Sequence, residues 1–333
     1  MSNKHYIKFN KKHVLAIVLL IVLIIAFVVA FIFIQKLEFK LSDTGEEDVF
    51  ILGSKNPELE YNGKTYKYNE DVDSILVIGV DSYEDEVTYN SYNNNDTADF
   101  LMVLAVNENE GSCKALQINR DTMSNNKVLA VTGEVVEYRP EQIALSHTYG
   151  SGGNDSCKNT ADAVSNLLYG MEIDHYISFT MDAVSEYNDL VGGVSIPAGK
   201  PDQNGKTLEE SLTLRGEDAL TYVRARRGLD DPTNIARMER QRVYLEELKK
   251  ATKIESQSND EFVFDAISTV NKYMVSDCTI NELSDISNSV VKYSDGNIYV
   301  PEGENVEGEN YMEFYIDQED LKRIIIDMFY EEA

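Results

Sequence analysis

The chain has 333 residues, with 30 Lys and Arg against 58 Asp and Glu, a formal net charge of −28. Nucleic acid is excluded as a partner, because a phosphate backbone is bound by releasing counterions against Lys and Arg and this surface repels it. At 43% hydrophobic residues the chain can bury a core, and its length exceeds the needs of one compact domain.

In chain order, the first feature is Val14 to Ile34, twenty-one positions without a charge, a proline or a polar side chain. At about 1.5 Å rise per residue this run spans roughly 30 Å, the hydrocarbon thickness of a bilayer, so as a helix it satisfies its own backbone in lipid. A cleaved signal peptide is the alternative, but its apolar stretch is about 7 to 15 residues and ends at a small-residue site. Here the run leads into Gln35, Lys36, Leu37 and Glu38. Lys4, Lys8, Lys11 and Lys12 precede the span and only Lys36 and Lys40 closely follow it. That asymmetry predicts a cytoplasmic tail over 1–13, a single transmembrane helix over 14–34, and everything beyond it outside the cell.

Residues 35–72 are polar, acidic and dotted with tyrosines, and read as an extracellular stalk with a turn at Asn62-Gly63. Ser74 to Val80 is a short continuous apolar run expected as a strand buried on both faces, and Ala98 to Val106 and Lys114 to Ile118 are further strand candidates. Helical spacing follows at Ala161 to Leu168, with Asn159 as its expected cap, and at Ile235 to Leu248. Between them His175 to Phe179 reads as a strand, and Val191 to Ile196 contains Gly192-Gly193 before another apolar pair. The alternation predicts an α/β fold, a layered α/β/α domain with a central mixed sheet, preceded by the one transmembrane helix. Beyond residue 252, strands at Asn297 to Val300 and Met312 to Ile316 and a helix at Gln318 to Tyr330 predict a separate terminal accessory α/β element over 253–333. Of the three cysteines, Cys113 and Cys157 are the favoured disulfide pair outside the cell, leaving Cys278.

The chemistry concentrates in two groups. Seven of the ten arginines, Arg215, Arg224, Arg226, Arg227, Arg237, Arg240 and Arg242, lie within 28 positions of so acidic a chain. Arginine grips phosphate oxygens in pairs and keeps its charge when buried, so the cluster points to an anion site, with pairing to surface carboxylates as the alternative. Arg237, Arg240 and Gln241 share one helix face, and Arg224 and Arg226 share a face if their segment is extended. The second group is acidic: Asp81 after the first core strand, Asp96-Thr97 before the second, and Arg120-Asp121 after the third. Carboxylates at strand ends can hold magnesium, whose other ligands come from water and substrate phosphates, although each Asp alone reads equally as a turn former. His147, beside a glycine-rich turn, is expected to be structural.

The order Gly79-Val80-Asp81, Asp96-Thr97, Asn119-Arg120-Asp121-Thr122, Tyr222-Val223-Arg224-Ala225-Arg226 and Arg237-Met238-Glu239-Arg240-Gln241 resembles the LytR-CpsA-Psr family over roughly residues 73 to 250. The resemblance implies a catalytic domain over 73–252 and a magnesium-dependent extracytoplasmic phosphotransferase in a Gram-positive envelope. It implies a polyprenyl-pyrophosphate-linked glycan as donor, peptidoglycan as acceptor and a phosphodiester as product, the glycan being teichoic acid, capsule or another wall polymer. On the same ground Asp81, Asp96 and Arg120 are the expected catalytic residues, with Asp81 and Asp96 holding the metal. Arg120, Arg224, Arg226, Arg237, Arg240 and Gln241 are expected on the pyrophosphate, and an apolar tunnel is expected for the prenyl chain. The chain departs from the family pattern at Asn94, where an arginine is usual. A lipid-pyrophosphate hydrolase and a non-catalytic wall-polymer-binding or regulatory ectodomain are compatible with the same residues.

Overall fold

A computed structural model describes residues 55–81, 94–130, 132–225 and 233–333. The apolar span at 14–34, the 1–13 tail, the first part of the stalk and Arg226 lie outside these residues. Among the described residues no helix is long and apolar enough to cross a membrane.

The chain enters through a hairpin, β1 (Leu59–Tyr61) and β2 (Lys64–Tyr68), turned by Asn62 and Gly63, both at positive φ. Two consecutive residues with φ above zero match the right-handed twist of paired strands, which is why Asn-Gly sits there. β3 (Asp73–Val80), β4 (Phe100–Asn107) and β5 (Ser112–Ile118) then form the antiparallel centre of the main sheet, with Gly79 opposite Phe100 and Leu101 opposite Ile118. A second hairpin, β6 (Met123–Leu129) with β7 (Val135–Gln142), leads through a short 3-10 helix (Ile143–Thr148) into α1 (Asn154–Leu167). β8 (His175–Thr180) lies parallel to β3 and is followed by α2 (Met181–Leu190). The small ribbon of β9 (Val194–Ile196) and β10 (Leu212–Leu214) precedes α3 (Glu217–Arg224) and the long α4 (Ile235–Ser258). The remainder comprises α5 (Phe262–Val270), β11 (Met274–Ser276), α6 (Ile280–Tyr293), β12 (Ser294–Tyr299), β13 (Gly303–Glu307), β14 (Met312–Ile316), α7 (Gln318–Phe329) and β15 (Tyr330–Glu332).

The central sheet is mixed, in the order β11, β8, β3, β4, β5, β12. Its strands are apolar on both faces, so successive side chains feed two cores. Leu76, Ile78, Leu101, Val103 and Leu116 face α1 and α7, whereas Ile75, Met102, Leu104 and Ala115 face α5 and α6. Helices therefore cover both sides of the sheet, as the sequence predicts. Each such Leu or Ile contributes about 1.5–3 kcal/mol by leaving water.

Several expectations change. The favoured Cys113–Cys157 bridge is absent, and none of Cys113, Cys157 and Cys278 is in a disulfide. Cys113 belongs to the core under α5 and α6 and Cys157 to the core under α1 and α7, so the sheet stands between the two thiols. Asn159 is not the cap of α1, whose N-cap is Gly153. Instead Asn159 is buried within the helix and donates to the carbonyl of Ser146 at 2.7 Å.

The stalk does not run to residue 72, because β15 at the far carboxyl end joins β2, with Tyr330 opposite Tyr68. Nor is 253–333 a separate element: β11 and β12 are the two edge strands of the main sheet, and α7 supplies Leu321, Ile324, Ile325 and Phe329 to its core. An appended module would need its own core. These apolar faces are completed only by the sheet.

Candidate active site

The carboxyl ends of β3 and β8 and the start of β4 lie at one end of the sheet, since Val80 is beside Thr180 and Gly79 opposite Phe100. Asp81 and Asp96 both emerge there. Asp81 is half-exposed and pairs with Arg224 at 3.0 Å (Arg224 Nη2 to Asp81 Oδ1). Asp96 is buried. Its amide donates to Asn94 Oδ1 at 2.8 Å and its carbonyl accepts from His147 Nδ1 at 2.8 Å.

Asn94, which stands where the family has arginine, is the peg of this loop. Its amide nitrogen lies 3.0–3.3 Å from the carbonyls of His147, Thr148 and Gly150 and 3.1 Å from Ser156 Oγ. Asn94 thus anchors the segment that carries Asp96.

His147 is fully buried, and with a carbonyl as partner its Nδ1 is the protonated nitrogen. Burial holds its pKa below the ordinary 6.5. The folded protein keeps this imidazole neutral, while the unfolded chain takes up a proton as pH falls below about 6.5, so stability is present above that pH and lost below it. His147→Gln, which can still donate to Asp96 O, is expected to lose less stability than wild type between about pH 7 and about pH 5 in denaturant melts. Equal acid slopes would remove His147 from the account.

Arg120, after β5, meets an acid that the sequence reading passed over. Its guanidinium Nη1 pairs with Asp99 Oδ1, and its Nε is 3.6 Å from Asp121 Oδ1. Arg237, on the first turn of α4, approaches the same Asp99 carboxylate at 4.0 Å and donates from Nη2 to the Asp99 carbonyl at 3.2 Å. Asp99 therefore binds Arg120 and Arg237 into one cationic unit. Asp121 is held behind Arg120 by Gln142, whose Nε2 donates at 2.9 Å, while its own carbonyl accepts from Phe314 N at 2.9 Å. The carboxyl-terminal hairpin thus buttresses the site.

The other predicted ligands divide. Tyr222 to Arg224 lie in α3 rather than an extended segment, because Ala219, Leu220, Tyr222 and Val223 bury one helical face; Arg226, expected to share a face with Arg224, lies outside the described residues. Arg240 is fully buried beneath that helix, donating from Nε to Tyr222 O at 3.3 Å and from Nη2 to Ala225 O. It satisfies carbonyls at the end of α3 and offers little to a ligand. Gln241 accepts from Gln117 Nε2 at 3.1 Å, and Arg242 donates to Gln117 Oε1 at 3.0 Å, which keys α4 to β5.

Behind this polar group lies an apolar cavity of about 340 Å³ between the sheet and helices α2, α4 and α6. Gly79, Val223 and Gln241 line its polar end, and Leu248, Ile286 and Val290 its far part. Gly79 helps keep it open: a Cβ there would lie 2.9 Å from Phe100 Cβ. Its amide neighbour Asp99 N donates to Gly79 O at 2.7 Å, so the arginine-bound acid and the cavity mouth share one stretch of backbone. The volume falls in the range of small-molecule sites, about 300–1,000 Å³. The arrangement suits an amphiphile with an apolar tail and an anionic head.

Asp81 and Asp96 offer hard oxygen donors of the kind that could hold magnesium, which takes few protein ligands and completes its shell with water and phosphate oxygens.

Known proteins resemble this chain in sequence and in fold. The chain is 33% identical over 165 residues to the polyisoprenyl-teichoic acid–peptidoglycan teichoic acid transferase TagU of Halalkalibacterium halodurans, covering 48% of this chain and 49% of that protein. It is 30% identical over 138 residues to the protein of the same name from Enterococcus faecalis, covering 38% and 42%. The matches thus span about half the length of these curated relatives or less. Its fold is that of B. subtilis TagV, with a TM-score of 0.59 at 21% identity over 78% of this chain and 96% of that one. TagT bound to LI-WTA superposes with a TM-score of 0.57 at 19% identity, over 86% and 96%. The family model for the LytR_cpsA_psr family matches residues 38–328, most of the chain, and the protein belongs to that family.

Proposed function

We propose that the protein is an extracytoplasmic phosphotransferase that moves a glycopolymer of the teichoic acid kind from polyprenyl pyrophosphate onto peptidoglycan. The observation that carries this reading is an apolar cavity whose lining residues Gly79 and Phe100 adjoin Asp99, the acid that links Arg120 and Arg237, through the Asp99 N to Gly79 O hydrogen bond. The names of the partial relatives support the donor and acceptor classes. The apolar run at 14–34 would hold the enzyme at the membrane that carries its donor, with the catalytic domain outside.

In this reading the prenyl tail lies in the cavity and the pyrophosphate rests on Arg120, Arg237 and Arg224. A muramic acid hydroxyl attacks the phosphorus attached to the glycan. The new phosphodiester oxygen bond forms as the pyrophosphate bridge breaks, and polyprenyl phosphate leaves with the bridging oxygen. Asp81, half-exposed at the strand end, would take the hydroxyl proton. The arginines neutralise charge on the departing phosphate, which is most of what phosphoryl transfer asks of a protein. Magnesium, held by Asp81 and Asp96, would supply further charge neutralisation at the phosphate oxygens.

The test is full-length enzyme in detergent with lipid-pyrophosphate-linked glycan, peptidoglycan oligomers and magnesium. Glycan joined to peptidoglycan by wild type and lost in Asp81→Ala is expected. Free glycan phosphate would make the protein a hydrolase, and donor binding without turnover would make it a binding ectodomain.

A further inference from the structure

At the opposite end of the sheet from Asp81, three side chains of different chemistry converge. His175 opens β8, where it lies beside Ile75 at the start of β3, while Asp277 and Cys278 follow β11 just before α6. His175 Nδ1 is 3.6 Å from Asp277 Oδ1, and Cys278 Sγ is 3.8 Å from the same oxygen. The three ligating atoms all lie within 4.8 Å of one another. In tetrahedral zinc centres the bonds of about 2.0–2.3 Å place neighbouring donor atoms roughly 3.3–3.8 Å apart. We propose that His175, Asp277 and Cys278 bind a thiophilic divalent transition-metal cation of the zinc type.

The surroundings favour a cation over a plain polar contact. His175 Nδ1 is shut away from solvent and makes no hydrogen bond among the described residues, a cost that a metal bond removes. Asp277 Oδ1 is held in place by the amide of Tyr176 at 3.0 Å, and the amide of Cys278 donates to Ser276 Oγ at 3.0 Å. The carboxylate and the backbone that carries the thiol are therefore oriented before any ion arrives. His175 and Asp277 keep about a third of their side-chain surface open, 39% and 33%, which gives an entry path.

Glu282 adds negative charge but is not a ligand, since its carboxylate accepts from Thr279 N at 2.7 Å as the capping box of α6. Burial pushes the Cys278 thiol up to about 11, with Asp277 and Glu282 adding to the shift, so without a cation it is a poor nucleophile. An imidazole and a thiol select zinc-type ions over magnesium or calcium, so this site is distinct in chemistry from the carboxylates at Asp81 and Asp96. Its occupation would tie β8 and β11 to the start of α6, the helix whose Ile286 and Val290 form part of the cavity wall.

The test is titration of the full-length protein with cobalt(II) as a spectroscopic probe, followed by zinc. One equivalent should produce a thiolate-to-cobalt charge-transfer band that zinc abolishes and that Cys278→Ser never shows. His175→Gln and Asp277→Asn should weaken binding at least about tenfold, since even the loss of outer-shell partners costs that much. Asn can still accept from Tyr176 N, and melting curves without metal establish that each variant is folded. Alkylation supplies a second readout: Cys278 is the partly exposed cysteine, and zinc should slow its modification in the native protein. No band in wild type, a band that survives Cys278→Ser, cobalt affinity unchanged in His175→Gln, or alkylation indifferent to zinc would each overturn the proposal.

Discussion

Asp99→Ala is expected to cost about 3–5 kcal/mol of folding stability, the penalty for breaking a buried ion pair, even though Arg120 keeps Asp121 at 3.6 Å. Arg120, Arg237 and Asp99 have side-chain exposures of 12%, 6% and 16%, so water cannot replace the lost carboxylate. Desolvated guanidinium groups that faced one negative charge would then face each other. Chemical denaturation followed by circular dichroism measures the change. Asp99→Asn should recover part of the loss, because the amide oxygen can still accept from Arg120. A loss below about 1 kcal/mol, the level of an exposed pair, would show that Asp99 is not the keystone of the site.

The second large effect is on catalysis. Arg237→Ala removes a donor from the phosphate end of the cavity while Asp99 keeps its pairing with Arg120, so the fold should survive. Loss of one pre-positioned charge-stabilising donor typically lowers kcat by about 10²- to 10³-fold. Transfer assays should show a fall of that order. Arg240→Ala should act differently, lowering thermal stability, because Arg240 satisfies carbonyls of α3 and Ala225 and lies beneath them. If Arg240→Ala were stable and catalytically dead while Arg237→Ala were active, the roles assigned to the two arginines would be exchanged.

The contrast between these arginines marks what the sequence could convey. Spacing correctly places Arg237, Arg240 and Gln241 on one helix, but not what each faces, which depends on α3 folding back under Arg240. The core strands are legible because Ser74 to Val80 and, apart from Asp99, Ala98 to Val106 are apolar runs that only a doubly covered sheet can bury. Asp99 was hidden within the second run, where one acid at a strand start carries no local signal; the arginines that explain it are 21 and 138 positions away. At Asn94 the sequence shows a missing arginine, and the four contacts of its side-chain nitrogen emerge only from the packing of residues 147–156 around it. The carboxyl-terminal segment was misjudged as an appendage because edge strands β11 and β12 are short and contribute pairing that composition does not reveal. The cysteine pair failed for a related reason: sequence separation says nothing of which sheet face a thiol occupies.

The account rests on one ligand spanning two environments, its tail in the cavity and its pyrophosphate on the arginines. The decisive measurement compares binding of polyprenyl pyrophosphate and the matching polyprenyl alcohol to full-length wild type, Arg237→Ala and Val290→Trp, the last filling the cavity. The account predicts that wild type prefers the pyrophosphate, that Arg237→Ala loses most of this preference while still holding the alcohol, and that Val290→Trp loses both. Equal binding of pyrophosphate and alcohol by wild type, or undiminished binding by Val290→Trp, would contradict it.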